Sequence, residues 1–275
     1  GGPTDVIARI TGQDISAALG QTVVVENRAG ANAQIATELV ARATPDGHTL
    51  LYSSLSLLVN AILMQDKARY DPFKDFAPVS NAAVLPMVVV TSPATKLNTL
   101  QELLAAAKAK PGALTYGAPG HGGSGHLAGA LLENLSGTKM TTVPFRGNGP
   151  ALTEVISGQV TFMFYPIIGI AEFAASKRLK VLAIGTAKRH ADFPDVPTMA
   201  ESGFPGFEET APWVGLLAPA ATPGPIVDRL SVEMRKSLAK PETVARLKSL
   251  GAITVGDTPG EYLKFQIGRA HVLNS

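Results

Sequence analysis

The sequence contains no cysteine, which excludes disulfide bonds, thiolate zinc sites and cysteine nucleophiles. Charged residues make up only 17% of the chain and the net charge is +2, a field too weak to gather nucleic acid. The longest apolar stretch, near Ala82–Val90, is interrupted by Pro86 and is far too short to span a bilayer. With 275 residues, 45% of them hydrophobic, we expect a globular protein of one large domain or two lobes, neither bound to nucleic acid nor embedded in a membrane.

Both ends of the sequence depart from the pattern of the rest. The chain starts at Gly1-Gly2 without methionine, so a secretory leader would lie outside this fragment. Residues 268–275 break the pattern of the segment before them, and we interpret them as a non-native tail.

Segments with strand and helix patterns alternate along the chain. This alternation predicts an α/β protein with mostly parallel sheets and helices on both faces. The predicted strands are Thr22–Glu26, Thr49–Ser54, Phe76–Val90, Ala113–Tyr116, Thr141–Phe145, Val160–Tyr165, Lys180–Ala187, Trp213–Ala218 and Ile253–Val255.

The stretch Ala113–Leu132 combines a short strand, a glycine-rich turn and the start of a helix. Such an arrangement points free backbone N–H groups and the positive end of a helix dipole at an anion. Glycine suits the turn because a Cβ would block positive φ values and hold a ligand away from the main chain. We therefore predict a pocket for a small carboxylate that performs no chemistry on it, with Gly120, Gly122, Ser124 and His126 as ligand-binding residues.

One enzyme interpretation of the same loop stays open, and a second lacks the residues that it needs. Gly120–Gly125 matches G-x-G-x-x-G, but the next strand ends at Phe145-Arg146, where a dinucleotide site wants an acid. Arg146 could suit a 2′-phosphate, so an NADP-dependent oxidoreductase is the alternative function. Ser124 resembles a nucleophile elbow, but the position after Gly125 is His126 and no triad partner is recognisable. His126 itself could donate to a carboxylate or bond a neighbouring carbonyl.

Two further glycine-containing segments lead into predicted helices. At Gly1–Asp5, Pro3 occupies the first helical position, so Gly2, Thr4 and Asp5 would bind an anion or only cap the helix. In Arg146–Pro150 the helix is predicted to begin at Pro150, with Arg146 pairing with a ligand acid or lying in solvent. Asn148 is assigned to the ligand-binding set with Arg146.

Polar residues also end two of the predicted strands. Tyr52, Ser53 and Ser54 stand at the carboxyl end of Thr49–Ser54, where open α/β sheets bind ligands, although serines there also cap helices. Tyr165 ends Val160–Tyr165 and would line the pocket or belong to the core. No spacing of histidine and acidic residues suggests a metal, and we expect no catalytic residue and no cofactor.

Several blocks of the sequence, as far as about Lys264, keep a characteristic order and spacing. They are Gly1-Gly2-Pro3-Thr4-Asp5, Glu26-Asn27-Arg28-Ala29-Gly30-Ala31, Pro45-Asp46-Gly47-His48-Thr49-Leu50-Leu51, Gly120–His126, Pro144-Phe145-Arg146-Gly147, Pro150-Ala151-Leu152 with Gly158-Gln159-Val160, and Trp213–Pro219 with Thr222-Pro223. In these blocks the chain resembles the TctC-like, or Bug, solute-binding receptors of the tripartite tricarboxylate transporter system.

The resemblance implies a periplasmic, non-catalytic receptor with a two-lobed, type II periplasmic-binding-protein fold and a ligand cleft between the lobes. The loops at Gly1–Asp5 and Gly117–His126 would clasp a carboxylate, largely through main-chain groups and bridging water. The implied partner is a membrane permease or a sensor, and we expect a monomer. Lobe 1 would comprise residues 1–92 and 219–267, with its first strand upstream of Gly1, and lobe 2 residues 93–218.

Three positions depart from the family's pattern. Tyr165 stands where an aspartate is common, and Asn32 and Gln34 fall where glycines are frequent. These departures bear on which acid is bound more than on the family.

Overall fold

The computed structural model describes residues 2–63 and 68–274, and the chain forms two compact units. No helix within the described residues is long and apolar enough to cross a membrane. Unit 1 comprises Gly1–Val84, Trp213–Ser249 and Ile253–Ser275, and unit 2 comprises Leu85–Pro212 and Leu250–Ala252.

Unit 1 is a four-stranded sheet with helices on both faces. Its strands are β1 (Leu51–Ser53), β2 (Phe76–Val84), β8 (Trp213–Pro219) and β9 (Ile253–Thr254), in the order β1-β8-β2-β9. Its helices are α1 (Pro3–Leu19), α2 (Gln34–Ala41), α3 (Ser56–Leu63), α8 (Gly224–Ala239), α9 (Pro241–Ser249) and α10 (Pro259–Asn274).

The two faces of this sheet carry different apolar layers. One face packs under α2, α3 and α10 and includes the buried rings of Trp213 and Tyr262, which meet edge-on at 5.5 Å. The other face packs under α1 and α8 and includes Val79, Leu216 and Leu230. Strand alternation explains the division, since Leu216 and Leu217 point to opposite faces.

Unit 2 is a five-stranded sheet, also covered on both faces. Its strands are β3 (Met87–Thr91), β4 (Thr115–Ala118), β5 (Thr141–Pro144), β6 (Phe162–Pro166) and β7 (Lys180–Ile184), in the order β5-β4-β6-β3-β7. Its helices are α4 (Leu100–Ala109), α5 (Ser124–Ser136), α6 (Asn148–Ile156) and α7 (Ile170–Ala175). Helices α4 and α5 cover one face, and α6 and α7 cover the other.

Strand direction corrects the prediction of mostly parallel sheets. Among the described pairs, β4 runs parallel to β5 and β6, whereas the pairs β3–β6 and β3–β7 and every pair of the unit 1 sheet are antiparallel. The physical reason is that helices α5 and α6 connect β4, β5 and β6 as crossovers, which parallel strands need, whereas β3 enters the unit 2 sheet directly from β2 of the other sheet.

The predicted strand Phe76–Val90 is divided at Pro86 between the two sheets. Residues before it pair with β8 in unit 1, and residues after it pair with β6 and β7 in unit 2. The chain therefore changes unit at Val84–Leu85 and at Pro212–Trp213, and it enters unit 2 again for Leu250–Ala252. The first two changes come earlier than the expected lobe boundaries, which are between residues 92 and 93 and between residues 218 and 219.

The predicted strand Thr22–Glu26 is wrong. This segment has no strand structure, and Val24 is 75% exposed. It lies along α1 instead, where Val23 N–H donates to Ser16 Oγ at 2.8 Å and Arg9 Nη2 donates to Val25 O. Its β-branched residues favour a strand, but a strand also needs a backbone partner, and within residues 2–63 and 68–274 none pairs with it.

The segment interpreted as a non-native tail continues the last helix. Helix α10 runs from Pro259 to Asn274, Ala270 packs against the unit 1 core, and the Arg269 guanidinium lies 5.3 Å from the centre of the Phe265 ring. The helix propagates because no proline interrupts it, and Gly268 alone does not end it.

A strained turn precedes α2. Ala31, Asn32 and Ala33 have φ values of 45°, 52° and 67°, a conformation that costs residues other than glycine about 1–2 kcal/mol each. Asn32 is held there by Asn60, whose side chain exchanges two hydrogen bonds of 2.9 Å with it. The methyl side chains of Ala31 and Ala33 cannot form hydrogen bonds of this kind to offset the strain.

We therefore expect Ala33→Gly to raise the free energy of unfolding by about 0.5–1 kcal/mol, since glycine relieves the strain but adds freedom to the unfolded chain. Urea-induced unfolding of Ala33→Gly and of the parent protein measures this difference in the free energy of unfolding. The control is Ala36→Gly in helix α2, which should lower stability by about 1 kcal/mol. A loss of stability in Ala33→Gly would contradict the strain.

A buried carboxyl group joins the loop before α10 to β2. Asp257 Oδ1 accepts a hydrogen bond from the Asn81 backbone N–H at 2.7 Å, and the Asp257 carbonyl accepts one from Ser80 Oγ at 2.8 Å. Burial raises the pKa of Asp257 from 3.8 to about 6. Since the folded state binds this proton more tightly than the unfolded chain, stability falls as the pH rises from about 4 to 6 and is level above that.

We expect Asp257→Asn to remove this decline, so the variant should gain stability relative to the parent between pH 4 and 6. Denaturant-induced unfolding of both proteins at several pH values measures this gain in stability. Asp46→Asn is a control of opposite sign, because the hydrogen bond from His48 N–H lowers the pKa of Asp46. If the difference in the free energy of unfolding between Asp257→Asn and the parent does not change with pH, the raised pKa is contradicted.

Candidate functional site

The carboxyl ends of four strands in unit 2 leave the sheet at one edge. Ala118 pairs with Pro144 at the end of β4 and β5, and Phe145 N–H donates to Ala118 O at 2.8 Å. Strand β6 is parallel to β4, and β7 has the same direction because both are antiparallel to β3. The segments that follow these strands therefore share this edge, which is where open α/β sheets bind ligands.

The loop after β4 delivers the chain to α5 as predicted from the sequence. Gly120 and Gly122 adopt φ values of 98° and 76°, which strain any other residue. Gly123 is the N-cap and offers no side chain to accept from the first turn. The first helical hydrogen bond comes from Leu127 N–H to Gly123 O, so the amides of Ser124, Gly125 and His126 precede the bonding pattern and face outward.

Two other glycines let α5 lie close to the sheet. A Cβ on Gly125 would come within 2.9 Å of Phe164 O, and one on Gly129 within 2.3 Å of the buried Tyr116 ring. These glycines bring the helix onto β4 and β6. The last glycine of the G-x-G-x-x-G match is thus explained by packing alone.

His126 lies in the first turn of α5, and its tautomer is fixed by the loop. Its Nδ1 accepts the Gly122 N–H at 3.2 Å, so the neutral ring carries its proton on Nε2 and presents a donor. The His121 ring meets it edge-on, with centroids 5.5 Å apart. Burial first, and then the neighbouring His121, lower the pKa of His126 below its ordinary 6.5, so the ring is neutral at pH 7.5.

The loop after β5 forms a second helix start beside the first. Helix α6 begins at Asn148, two residues before the predicted Pro150, because Gly147, with a φ of 118°, serves as the N-cap. Asn148 Oδ1 is buried and has no hydrogen-bond partner among the described residues. Arg146 is exposed just before this helix.

Tyr165 lies near the end of β6 on the face covered by α6 and α7. Its ring belongs to the apolar layer there, with the residue 7% exposed, and burial raises the pKa of Tyr165 to about 12. The phenol is therefore neutral, and within the described chain its hydroxyl makes no hydrogen bond. The core interpretation of Tyr165 is therefore confirmed, and its place in the pocket stays a prediction.

In unit 1, the start of α1 is organised mainly by its own side chains. Gly2 is the N-cap, Pro3 is the first helical residue, and Thr4 is partly buried behind them. The Asp5 carboxylate accepts from Arg9 Nε at 3.1 Å and from Asn27 Nδ2 at 2.7 Å. These hydrogen bonds, the one from Arg9 foremost, lower the pKa of Asp5 although burial opposes them.

The polar residues that end β1 do not act as one group. Tyr52 faces α1 and α8, where its hydroxyl lies 2.6 Å from Thr11 Oγ1. Ser53 points to the opposite face, and its Oγ is buried without a partner among the described residues. Ser54 Oγ lies 3.4 Å from Ser56 Oγ, at the start of α3. The structure does not bring Tyr52 and Ser53 together, since they lie on opposite faces of the sheet.

Sequence comparison assigns the chain to a family. Residues 7–267 match the family described as the tripartite tricarboxylate transporter family receptor. The chain belongs to this family. It is 40% identical over 260 residues to a UPF0065 protein in the tcbD-tcbE intergenic region of Pseudomonas sp. (strain P51), covering 94% of this chain and 77% of that protein. It is 36% identical over 262 residues to protein BugT of Bordetella pertussis, covering 95% and 80%.

Comparison with solved structures supports the same family assignment. A Rhodopseudomonas palustris protein, Rpa4515 with adipate, superposes with a TM-score of 0.95 at 29% identity, over 99% of this chain and 91% of that one. MatC from the same organism, with bound malate, gives 0.90 at 32% identity, over 98% and 94%. The periplasmic binding protein BugD gives 0.91 at 33%, over 98% and 90%. The predicted family and its two-lobed, periplasmic-binding-protein-like α/β fold class are confirmed.

Some neighbours of the predicted residues were not found from the sequence. His121, whose ring contacts that of His126, is absent from the predicted ligand-binding residues. The segment after β7, with Lys188, Arg189 and His190, leaves the sheet at the same edge. Its position depends on the direction of β3, and no local signal in the sequence gives that direction.

The geometry of His126 makes a direct prediction. In nitrogen-15 NMR at pH 7.5 the ring should be the neutral Nε2–H tautomer, and its titration midpoint should lie below 6.5. Protonation removes the acceptor of the Gly122 amide, so the Gly122 amide resonance should shift with the same midpoint. An Nδ1–H tautomer, or a midpoint above 6.5, would contradict the bond.

Proposed function

We propose that the protein is an extracytoplasmic solute-binding receptor that captures a small carboxylate and leaves it chemically unaltered. Main-chain amides at the start of α5, the Nε2–H of His126 and the start of α6 bind the carboxylate. The residues at the start of α1 are proposed to contribute from unit 1, mainly through backbone groups, because the Asp5 side chain is already bonded to Arg9 and Asn27.

One observation carries the proposal: two glycine-capped helices, one on each face of the sheet, begin where the neighbouring parallel strands β4 and β5 end. A helix start stabilises an anion by about 0.3–1 kcal/mol, or roughly 2 when partly buried. Hydrogen bonds to a charged group add about 1.5–3 kcal/mol each. After the cost of desolvation, the two helix starts and a few such hydrogen bonds together reach the binding free energy of a micromolar complex, roughly 8 kcal/mol.

The similarity to proteins solved with adipate and malate supports the same ligand chemistry here. Membership of a transporter receptor family supports a periplasmic location and delivery of the acid to a membrane permease or to a sensor. We propose that the receptor works as a monomer, since each glycine-capped helix start lies within one chain.

The oxidoreductase alternative rests on the G-x-G-x-x-G spacing and on Arg146. The packing role of the last glycine fits either function, whereas the loop after β5 provides no acid for a ribose. The receptor function therefore accounts for more of the loop.

The proposal predicts that Gly122→Val weakens carboxylate binding at least about tenfold with little loss of fold. Valine at a φ of 76° moves the Gly122 amide and, with it, the His126 ring. Calorimetric titration with malate, succinate and adipate measures the dissociation constants, and circular dichroism follows the fold.

The matched control is Gly137→Val at the other end of the same helix. Gly137 also has a positive φ, 65°, so it carries similar strain away from the site, and the affinity should not change. An unchanged affinity in Gly122→Val would remove this loop from the site. Micromolar NADP binding that is lost in Arg146→Ala would instead favour the oxidoreductase.

A further inference from the structure

Three of the segments at the carboxyl edge of unit 2 lack acidic residues. Residues 119–126 and 145–149 follow β4 and β5, residues 165–169 cover the end of β6 and the turn after it, and none of these is aspartate or glutamate. The same segments hold the basic or titratable side chains His121, His126 and Arg146. After β7 the charges are paired instead, since Arg189 Nε lies 3.0 Å from Glu201 Oε2.

The nearest carboxylates along the chain are exposed or already bonded. Glu172 lies on the exposed side of α7, and exposed Asp192 is 3.6 Å from His190. Glu133, further along α5, accepts the Met140 N–H at 2.7 Å. In unit 1, Asp5, the one acid among the predicted binding residues, is held by Arg9 and Asn27.

Tyr165 adds no negative charge to this edge of the sheet. It ends a strand parallel to β4 and stands one position beyond the register of Ala118, beside the glycine loop. Its neutral hydroxyl is a donor for a carboxylate but provides no negative charge. An ammonium group placed here would lose its hydration and face two helix starts and Arg146 without a counter-ion, which is costly.

We propose that Tyr165 and the acid-free edge around it restrict the ligand to carboxylic acids without an ammonium group, so that amino acids of the same length are rejected. This inference rests on the proposed function, because it names the class of acid bound at the same site. It makes Tyr165 the residue that determines specificity.

Matched acids that differ by one amino group test it. Calorimetric titration with succinate against L-aspartate, and with adipate against L-2-aminoadipate, should give at least about tenfold weaker binding for the amino acid of each pair that binds. Equal affinity within a pair overturns the inference and leaves the proposed function standing. Failure of all the acids, including malate, overturns both.

Two variants locate the discrimination. Tyr165→Asp places a carboxylate at the carboxyl edge of the unit 2 sheet. The ratio of the two dissociation constants within each pair of acids should then fall at least about tenfold, because the amino acid binds more tightly and succinate binds more weakly. Tyr165→Asn has nearly the same shape without the charge, and the preference should persist. If Tyr165→Asp folds, as judged by circular dichroism, and keeps the parent preference, Tyr165 is not the determinant. If it does not fold, the comparison of acids on the parent protein still decides.

Discussion

The parallel pairing of β4 with β5 and β6 is the constraint on which the candidate site depends. It brings the ends of three strands to one edge of the unit 2 sheet. Each strand then turns into a helix through glycine, so the first amides of α5 and α6 lie ahead of any intrahelical partner. The site is thus built largely from backbone, and side chains such as His126 and Tyr165 modify it.

A backbone site explains the distribution of glycine in this segment. Gly120 and Gly122 are needed for positive φ values, whereas Gly125 and Gly129 are needed so that α5 can approach Phe164 and Tyr116. Four glycines close together therefore serve two physical needs. The G-x-G-x-x-G spacing, which on its own suggests a dinucleotide, arises from the overlap of these needs.

Local patterns predicted much of this molecule. The α5 loop and the Pro3 start of α1 both lie where the sequence indicated. These features depend on residues a few positions apart, and the resemblance in spaced blocks supplied the family.

The errors arose where distant partners decide the outcome. Val23 and Val24 favour a strand, yet a strand requires a pairing partner. Strand β3 reaches the second sheet directly from β2, without a crossover helix, and runs antiparallel to β6 and β7. Tyr52 and Ser53 adjoin in sequence and point to opposite faces, so only the sheet could separate their roles. The acid-free edge could be seen only after strand directions were known.

The central claim is that the first amides of α5 hold the carboxylate. Amide chemical shifts of nitrogen-15-labelled protein during titration with malate, succinate or adipate test it directly. We expect the largest saturable shifts at Ser124, Gly125 and His126, because their N–H groups would gain a charged acceptor. An acid that binds, as shown by calorimetry, while these three amides do not shift would contradict the account.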